Sequence, residues 1–155
     1  GQDMDTDKIA QNLVRRAMDF LSPDADINSF EIDGDHIRIN ATVKEAGFII
    51  GRDGENLRAL QYILGLMVSK KTEGALTPFN FIFDINDYNK EKEDYLTALA
   101  KNTAHTVLET KKTIGLEPMS SFERRIIHLV VEKIEGVASE SVGEGEERRV
   151  VIKPK

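Results

Sequence analysis

Two short strings carry residue types whose spacing suits an anionic ligand. In the first, Gly51-Arg52-Asp53-Gly54, two glycines three apart follow the apolar run Phe48-Ile49-Ile50. A second helical pattern begins at once, with Leu57, Leu60, Leu64, Met67 and Val68 on one side. Glycines without Cβ atoms let another backbone approach closely, and the unpaired N–H groups in the first turn of the next helix point outward as donors. Arg52 adds a cation. The ligand this geometry suits best is a sugar-phosphate backbone. The second string is Arg124-Arg125-Ile126-Ile127-His128, in which an arginine and a histidine four apart share a helix face. Arg124 can hold a phosphate bidentately while His128 donates or stacks. On spacing alone, a solvated helix face is the better reading of this string.

With 155 residues, 40% of them apolar, the chain can build one sizeable core or two small ones. No apolar run approaches the roughly 20 residues of a membrane span, so no membrane insertion is expected. The start, Gly1-Gln2-Asp3-Met4-Asp5, lacks the basic and apolar regions of a signal peptide, and Gly1 ahead of Met4 reads as a tag scar. The absence of cysteine excludes disulfides and thiolate metal sites and fits a reducing compartment, so a cytoplasmic location is expected. His128 and Glu132 have the spacing of a metal pair but no third ligand, and His36 and His105 are isolated. Neither metal nor cofactor is expected. A nuclease using His128 as general acid-base would also want a carboxylate cluster that the sequence does not display. The expectation is therefore a binding protein without catalysis.

A net charge of −6 argues against gripping nucleic acid by charge alone. The distribution softens that objection, because acids crowd the N-terminal third. Lys44, Arg52, Arg58, Lys70 and Lys71 gather around the glycine loop and its following helix, and Arg124, Arg125, His128, Arg148, Arg149 and Lys153 form a second basic group.

The elements that must position these strings follow from periodicity. Residues 6 to 21 read as a helix burying Ile9, Leu13, Ala17, Phe20 and Leu21. Residues 27 to 32 and 37 to 43 read as strands joined at Asp33-Gly34-Asp35. A short helix over 45 to 50, the glycine loop and a helix to about Lys71 come next, then a third strand in which Phe79, Phe81 and Phe83 share a face. Those phenylalanines suit the core better than a stacking platform. Asn86-Asp87 can cap a long helix with Tyr88, Tyr95, Leu96, Leu99, Thr103 and Val107 inward. A short strand at 113 to 117, a helix with a capping box at Ser120 and Glu123, and a hairpin of 137 to 142 with 149 to 152 complete the chain. That helix is expected to place Phe122, Ile126, Leu129, Val130 and Lys133 around a narrow apolar face.

The string Ile49-Ile50-Gly51-x-x-Gly54-x-x-Leu57, set between two helices after a hairpin and before a third strand, resembles the KH domain of RNA-binding proteins. The order helix-strand-strand-helix-loop-helix-strand resembles its type II arrangement. Leu116 through His128, with the glycine- and glutamate-rich hairpin and Arg148-Arg149-Val150-Val151-Ile152, resembles the R-three-H domain, named for Arg-xxx-His. The two in this order resemble the bacterial Jag family, also called KhpB or SpoIIIJ-associated.

The resemblance implies an α+β protein with a type II KH domain over residues 6–86 and an R-three-H domain over 87–155. It implies single-stranded RNA as partner, with single-stranded DNA as a lesser one. The loop residues Gly51, Arg52, Asp53 and Gly54 would face phosphates, with Arg58 nearby. Ile50 and Leu57 would be either groove floor or plain core. Arg124, Arg125 and His128 would supply a second contact. Asp53 departs from an ideal phosphate loop, and it either turns away or caps the next helix. The family further implies a cytoplasmic regulator of cell elongation and division, with links to cell shape and sporulation, partnered by a second small KH protein or by itself. Its usual N-terminal domain is missing from this sequence, which therefore reads as a C-terminal piece. An adaptor or dimerisation module that uses the same folds without RNA is the competing expectation. Aspartate at Gly51 or Gly54 is expected to abolish RNA crosslinking while leaving secondary structure intact.

Overall fold

A computed structural model of the chain describes residues 2–33 and 35–155, with the side chains of residues 2–5, 28, 29 and 33 left outside the description. The turn expected at Asp33-Gly34-Asp35 includes Gly34, and the tag scar concerns Gly1; both residues lie outside the described set. The chain forms two compact units, Gly1–Asn89 and Lys90–Lys155.

The first unit contains α1 (Gln2–Leu21), β1 (Asp26–Asp33), β2 (His36–Thr42), α2 (Gly47–Ile50), α3 (Glu55–Lys71) and β3 (Phe81–Ile85). Its sheet has the order β1-β2-β3, antiparallel between β1 and β2 and parallel between β2 and β3. A parallel pair cannot be closed by a tight turn. The crossover from β2 to β3 is therefore long, and α2, the glycine loop and α3 all lie on it.

Alternation along the strands sends Ile37, Ile39 and Ala41 of β2 and Phe81, Phe83 and Ile85 of β3 into one core. Phe81 and Phe83 are fully buried, each contributing about 1.5–3 kcal/mol relative to exposure. Phe79 is not part of this face. A turn in which Asn80 N–H donates to Thr77 O at 3.0 Å delays the strand to Phe81, and Phe79 is 88% exposed. The inward stripe of α1 also differs from expectation. Ala10, Leu13, Val14 and Met18 are buried, whereas Phe20 and Leu21 are exposed. These four recur at i, i+3, i+4 and i+8, while Phe20, two positions beyond Met18, lies about 200° further round the helix. On α3, Leu57, Leu64 and Val68 reach the core and Met67 does not.

Asp84 is the least anticipated core residue. It alternates with the inward Phe83 and Ile85, yet it is 0% exposed and its Oδ2 accepts from Arg38 Nη2 at 2.9 Å. Its Oδ1 accepts from Ile85 N–H at 2.9 Å and Asn89 N–H at 3.1 Å. The carboxylate thus takes the capping role expected of Asn86-Asp87 at the start of α4 (Tyr88–Thr110). Asn86 pairs with Val43 instead, accepting from its N–H and donating to its carbonyl, both at 2.9 Å.

The second unit is built from α4, β4 (Ile114–Gly115), α5 (Ser121–Glu132), β5 (Val137–Val142) and β6 (Arg149–Pro154). Its antiparallel sheet has the order β4-β6-β5. Leu96, Ala100, Ala104 and Val107 of α4 pack with Ile127 and Val131 of α5 and with Val137, Val150 and Ile152. Tyr95 and Leu129, expected inward, are exposed, because small alanines at 100 and 104 define the buried side of α4 and Ile127 that of α5. The fold is α+β.

Removing one partner of a buried ion pair leaves the other charge without compensation. Asp84→Ala is expected to lower the unfolding free energy by about 3 kcal/mol, measured as a lower urea midpoint at unchanged slope.

Candidate nucleic-acid interface

The glycine loop is a backbone structure that side chains hold in place. Gly51 ends α2 by donating its N–H to Gly47 O at 2.9 Å, with φ 74° and ψ 178°. That region is essentially restricted to glycine. A Cβ there would lie 2.6 Å from Asn56 Cγ, and Asn56 Nδ2 donates to Phe48 O at 2.8 Å. Asp53 and Gly54 are both left-handed, at φ 54° and 75°. A Cβ on Gly54 would come within 2.7 Å of the Tyr88 ring, and Arg58 Nη1 donates to Asp53 O at 2.7 Å. Asp53 does not cap α3, whose first turn carries no side-chain cap. Arg52 and Asp53 are exposed at the tip.

Several expected contacts take other roles. Leu57 is 0% exposed and belongs to the core, so it supports the loop from beneath and offers a ligand no surface. Ile50 is half-buried against the same core. Gly54 is buried and packs closely against the Tyr88 ring. Arg58 positions the loop carbonyl. Lys70 and Lys71 lie at the far end of the 17-residue α3, about 25 Å from the loop at 1.5 Å per residue. They do not share its field. Aspartate at Gly51 or Gly54 would meet Asn56 or Tyr88 in a left-handed backbone, so such variants disturb the loop itself and not only its ligand.

Phe48, on α2 just before the loop, is 88% exposed and was missed in the sequence. Its signal was available, since a four-residue helix whose two isoleucines turn toward the core leaves Phe48 outside. Tyr88 gave no comparable signal, because it reaches Gly54 from the far side of β3.

In the second unit, α5 begins as expected at Ser120, whose Oγ accepts from Glu123 N–H at 3.3 Å and donates to Glu123 Oε1 at 2.9 Å. Arg124 and His128 are half-buried on this helix and Arg125 is exposed. Arg124 Nη1 donates to Met119 O at 2.7 Å. Arg148 Nη1 donates to Gly143 O at 2.7 Å, and Arg149 and Lys153 pair with Glu147 and Glu140. Much of this basic group is thus committed to its own unit. His128 is held at both ring nitrogens, Nδ1 by Ser139 Oγ and Nε2 by Ser141 Oγ, each at 2.7 Å. No group of three or more metal-ligating side chains forms among the described residues.

Partial burial, then the Arg124 charge, lowers the His128 pKa from 6.5. The folded state thus favours neutral imidazole. Its contribution to stability is complete above the unfolded value and is lost as pH falls through the lower folded value. His128→Gln is expected to flatten the loss of stability as pH falls below about 6.5, read from urea midpoints measured downward from neutral pH.

The family model described as the KhpA/KhpB KH domain matches residues 7–76, and that of the R-three-H domain matches 94–154. The chain is 32% identical over 154 residues to the RNA-binding protein KhpB of Clostridium symbiosum, covering 94% of this chain and 68% of that one. It is 36% identical over 124 residues to the RNA-binding protein KhpB of Bacillus subtilis, covering 77% and 57%. The protein of the same name from Streptococcus pneumoniae is 32% identical over 116 residues, covering 75% and 34%. The chain thus spans about two thirds of the first of these relatives and less of the other two. With the αββααβ order and glycine loop in one unit and the Arg-xxx-His helix in the other, the chain belongs to the KhpB family, also called Jag.

Proposed function

We propose that the chain is a regulatory protein that binds single-stranded RNA through two phosphate-contacting surfaces, one in each domain, over residues 6–86 and 87–155. The carrying observation is the glycine loop, where Gly51, Asp53 and Gly54 all have positive φ, the first turn of α3 lacks a side-chain cap, and Arg52 is exposed at the tip. A tight turn over Arg52–Gly54 held this way brings the backbone and one cation up to a passing phosphate. Phe48 adds an exposed ring on which a flanking base can stack. In the second domain the exposed Arg125 of α5 supplies the cation of the other contact. The relatives named as RNA-binding proteins support this reading. RNA is the preferred ligand over single-stranded DNA, the reaction is binding without cleavage, and the setting is cytoplasmic control of cell elongation, division and sporulation.

Each phosphate neutralised on a single strand contributes about −0.7 to the slope of log affinity against log salt. Arg52→Glu and Arg125→Glu, both at exposed positions, are each expected to weaken binding of a short oligouridine and to make that slope shallower by about one phosphate's worth. Fluorescence anisotropy between 50 and about 200 mM salt checks this; unchanged affinity in both variants would overturn the reading.

One observation favours a second reading, self-association through α3. Tyr62, Ile63, Leu66 and Met67 form an exposed apolar stripe, with Glu55 at one end and Lys70 at the other. Glu55 and Lys70 are equidistant from the Tyr62–Ile63 midpoint, so a second copy laid antiparallel sets each acid against the other chain's lysine. Sedimentation equilibrium tests it: Leu66→Glu is expected to lower the association constant at least tenfold, and a monomeric parent protein excludes it.

A further inference from the structure

His128 was expected to touch nucleic acid directly, but both of its nitrogens are already occupied. Ser139 and Ser141 stand two apart on β5 and therefore on one face, and α5 lies against that face. We propose that His128 is a positioning residue, and that the hydroxyls of Ser139 and Ser141 make the contact to RNA phosphate oxygens in this unit. The inference rests on the RNA-binding reading and names the contacting groups of its second site.

Each hydroxyl has one hydrogen and two lone pairs, and neutral imidazole has one N–H and one bare nitrogen. One serine must then give its hydrogen to the ring while the other receives the ring's hydrogen, which leaves a single hydroxyl hydrogen to point elsewhere. When the ring takes up a proton, both nitrogens donate, both serines accept, and both hydroxyl hydrogens turn outward. Protonation thus doubles the outward donors and adds a positive charge behind them. An anionic oxygen is the ligand that gains from both changes.

The surroundings suit such a site. Ser139 and His128 line a surface cavity of about 340 Å³ together with Glu132, Lys155 and the apolar Val131 and Val137. The charged groups facing the ring are Arg124 one turn before it, Glu132 one turn after it, and Lys155 across the cavity. Opposite the serines on β6 are Ile152 and Val150, both buried and uncharged. Glu140, between the two serines, projects from the other face and pairs with Lys153 at 3.0 Å.

The test uses the full chain carrying Arg52→Glu, so that the second unit dominates, and a short oligouridine at fixed salt. Affinity is expected to rise at least about threefold from pH 7.5 to 5.5, as an added charge-assisted hydrogen bond requires. His128→Gln and the double variant Ser139→Ala/Ser141→Ala should each abolish the rise. A rise that persists without the serines would show the imidazolium touching RNA itself and overturn the proposal, as would pH-independent binding. A readout that needs no serine variant is the His128 pKa by nitrogen-15 NMR in the otherwise wild-type chain. Binding linked to protonation must raise it when oligouridine is added, and an unmoved value overturns the proposal. Absence of any oligouridine binding by the wild-type chain at either pH would instead bring down the RNA-binding reading on which this rests.

Discussion

The first unit depends on keeping the backbone between α2 and α3 in a conformation that most residues resist. Three of the four residues from Gly51 to Gly54 have positive φ, which the two glycines adopt freely and which costs the non-glycine Asp53 free energy unless the surroundings determine it. The surroundings do so from three directions. Asn56 fills the space beside Gly51 and ties down the end of α2, Arg58 holds the Asp53 carbonyl, and Tyr88 closes over Gly54. A loop held open in this way does not have to be ordered again when a phosphate arrives, so less of the binding free energy is lost.

The same crossover explains why the core and the interface share residues. The parallel pairing of β2 and β3 forces the chain to travel the length of the sheet, and α3 does so with Leu57, Leu64 and Val68 buried. Leu57 is fixed from below by that core and is followed directly by Arg58, which fixes the loop above. At the other edge, Asp84 ties Arg38 on β2 to the first amides of α4, and it is through this start of α4 that Tyr88 is brought to Gly54. Core and loop are thus mechanically continuous within the unit.

Much of this could be read from local sequence, and the remainder shows where local sequence stops. Order and type of elements followed from periodicity and turn chemistry, as did the glycine loop, the capping pair Ser120 and Glu123, and the Arg-xxx-His helix. What escaped depends on contacts between residues far apart. Arg38 and Asp84 are separated by 46 positions, so no local pattern pairs them. The inward faces of α1 and α5 were misjudged because large side chains were given more weight than Ala10, Met18 and Ile127, and burial follows the packed stripe and not size. His128 looked like a ligand contact because its two serine partners lie on β5, outside its own helix.

Charge sets the scale of the proposed binding. The chain carries a net −6, several of its basic side chains are committed internally, and only a few cations remain at each surface. The two proposed sites therefore carry little charge each, and covalent linkage of weak sites raises affinity without new contacts. Amide chemical-shift mapping of the whole chain with a short oligouridine addresses this most directly. The account predicts shifts at Arg52, Asp53 and Asn56 in the first unit and at Arg125, Ser139 and Ser141 in the second, all saturating together and all reversed by salt. Shifts confined to the Tyr62–Met67 stripe, or none in the glycine loop, would contradict it.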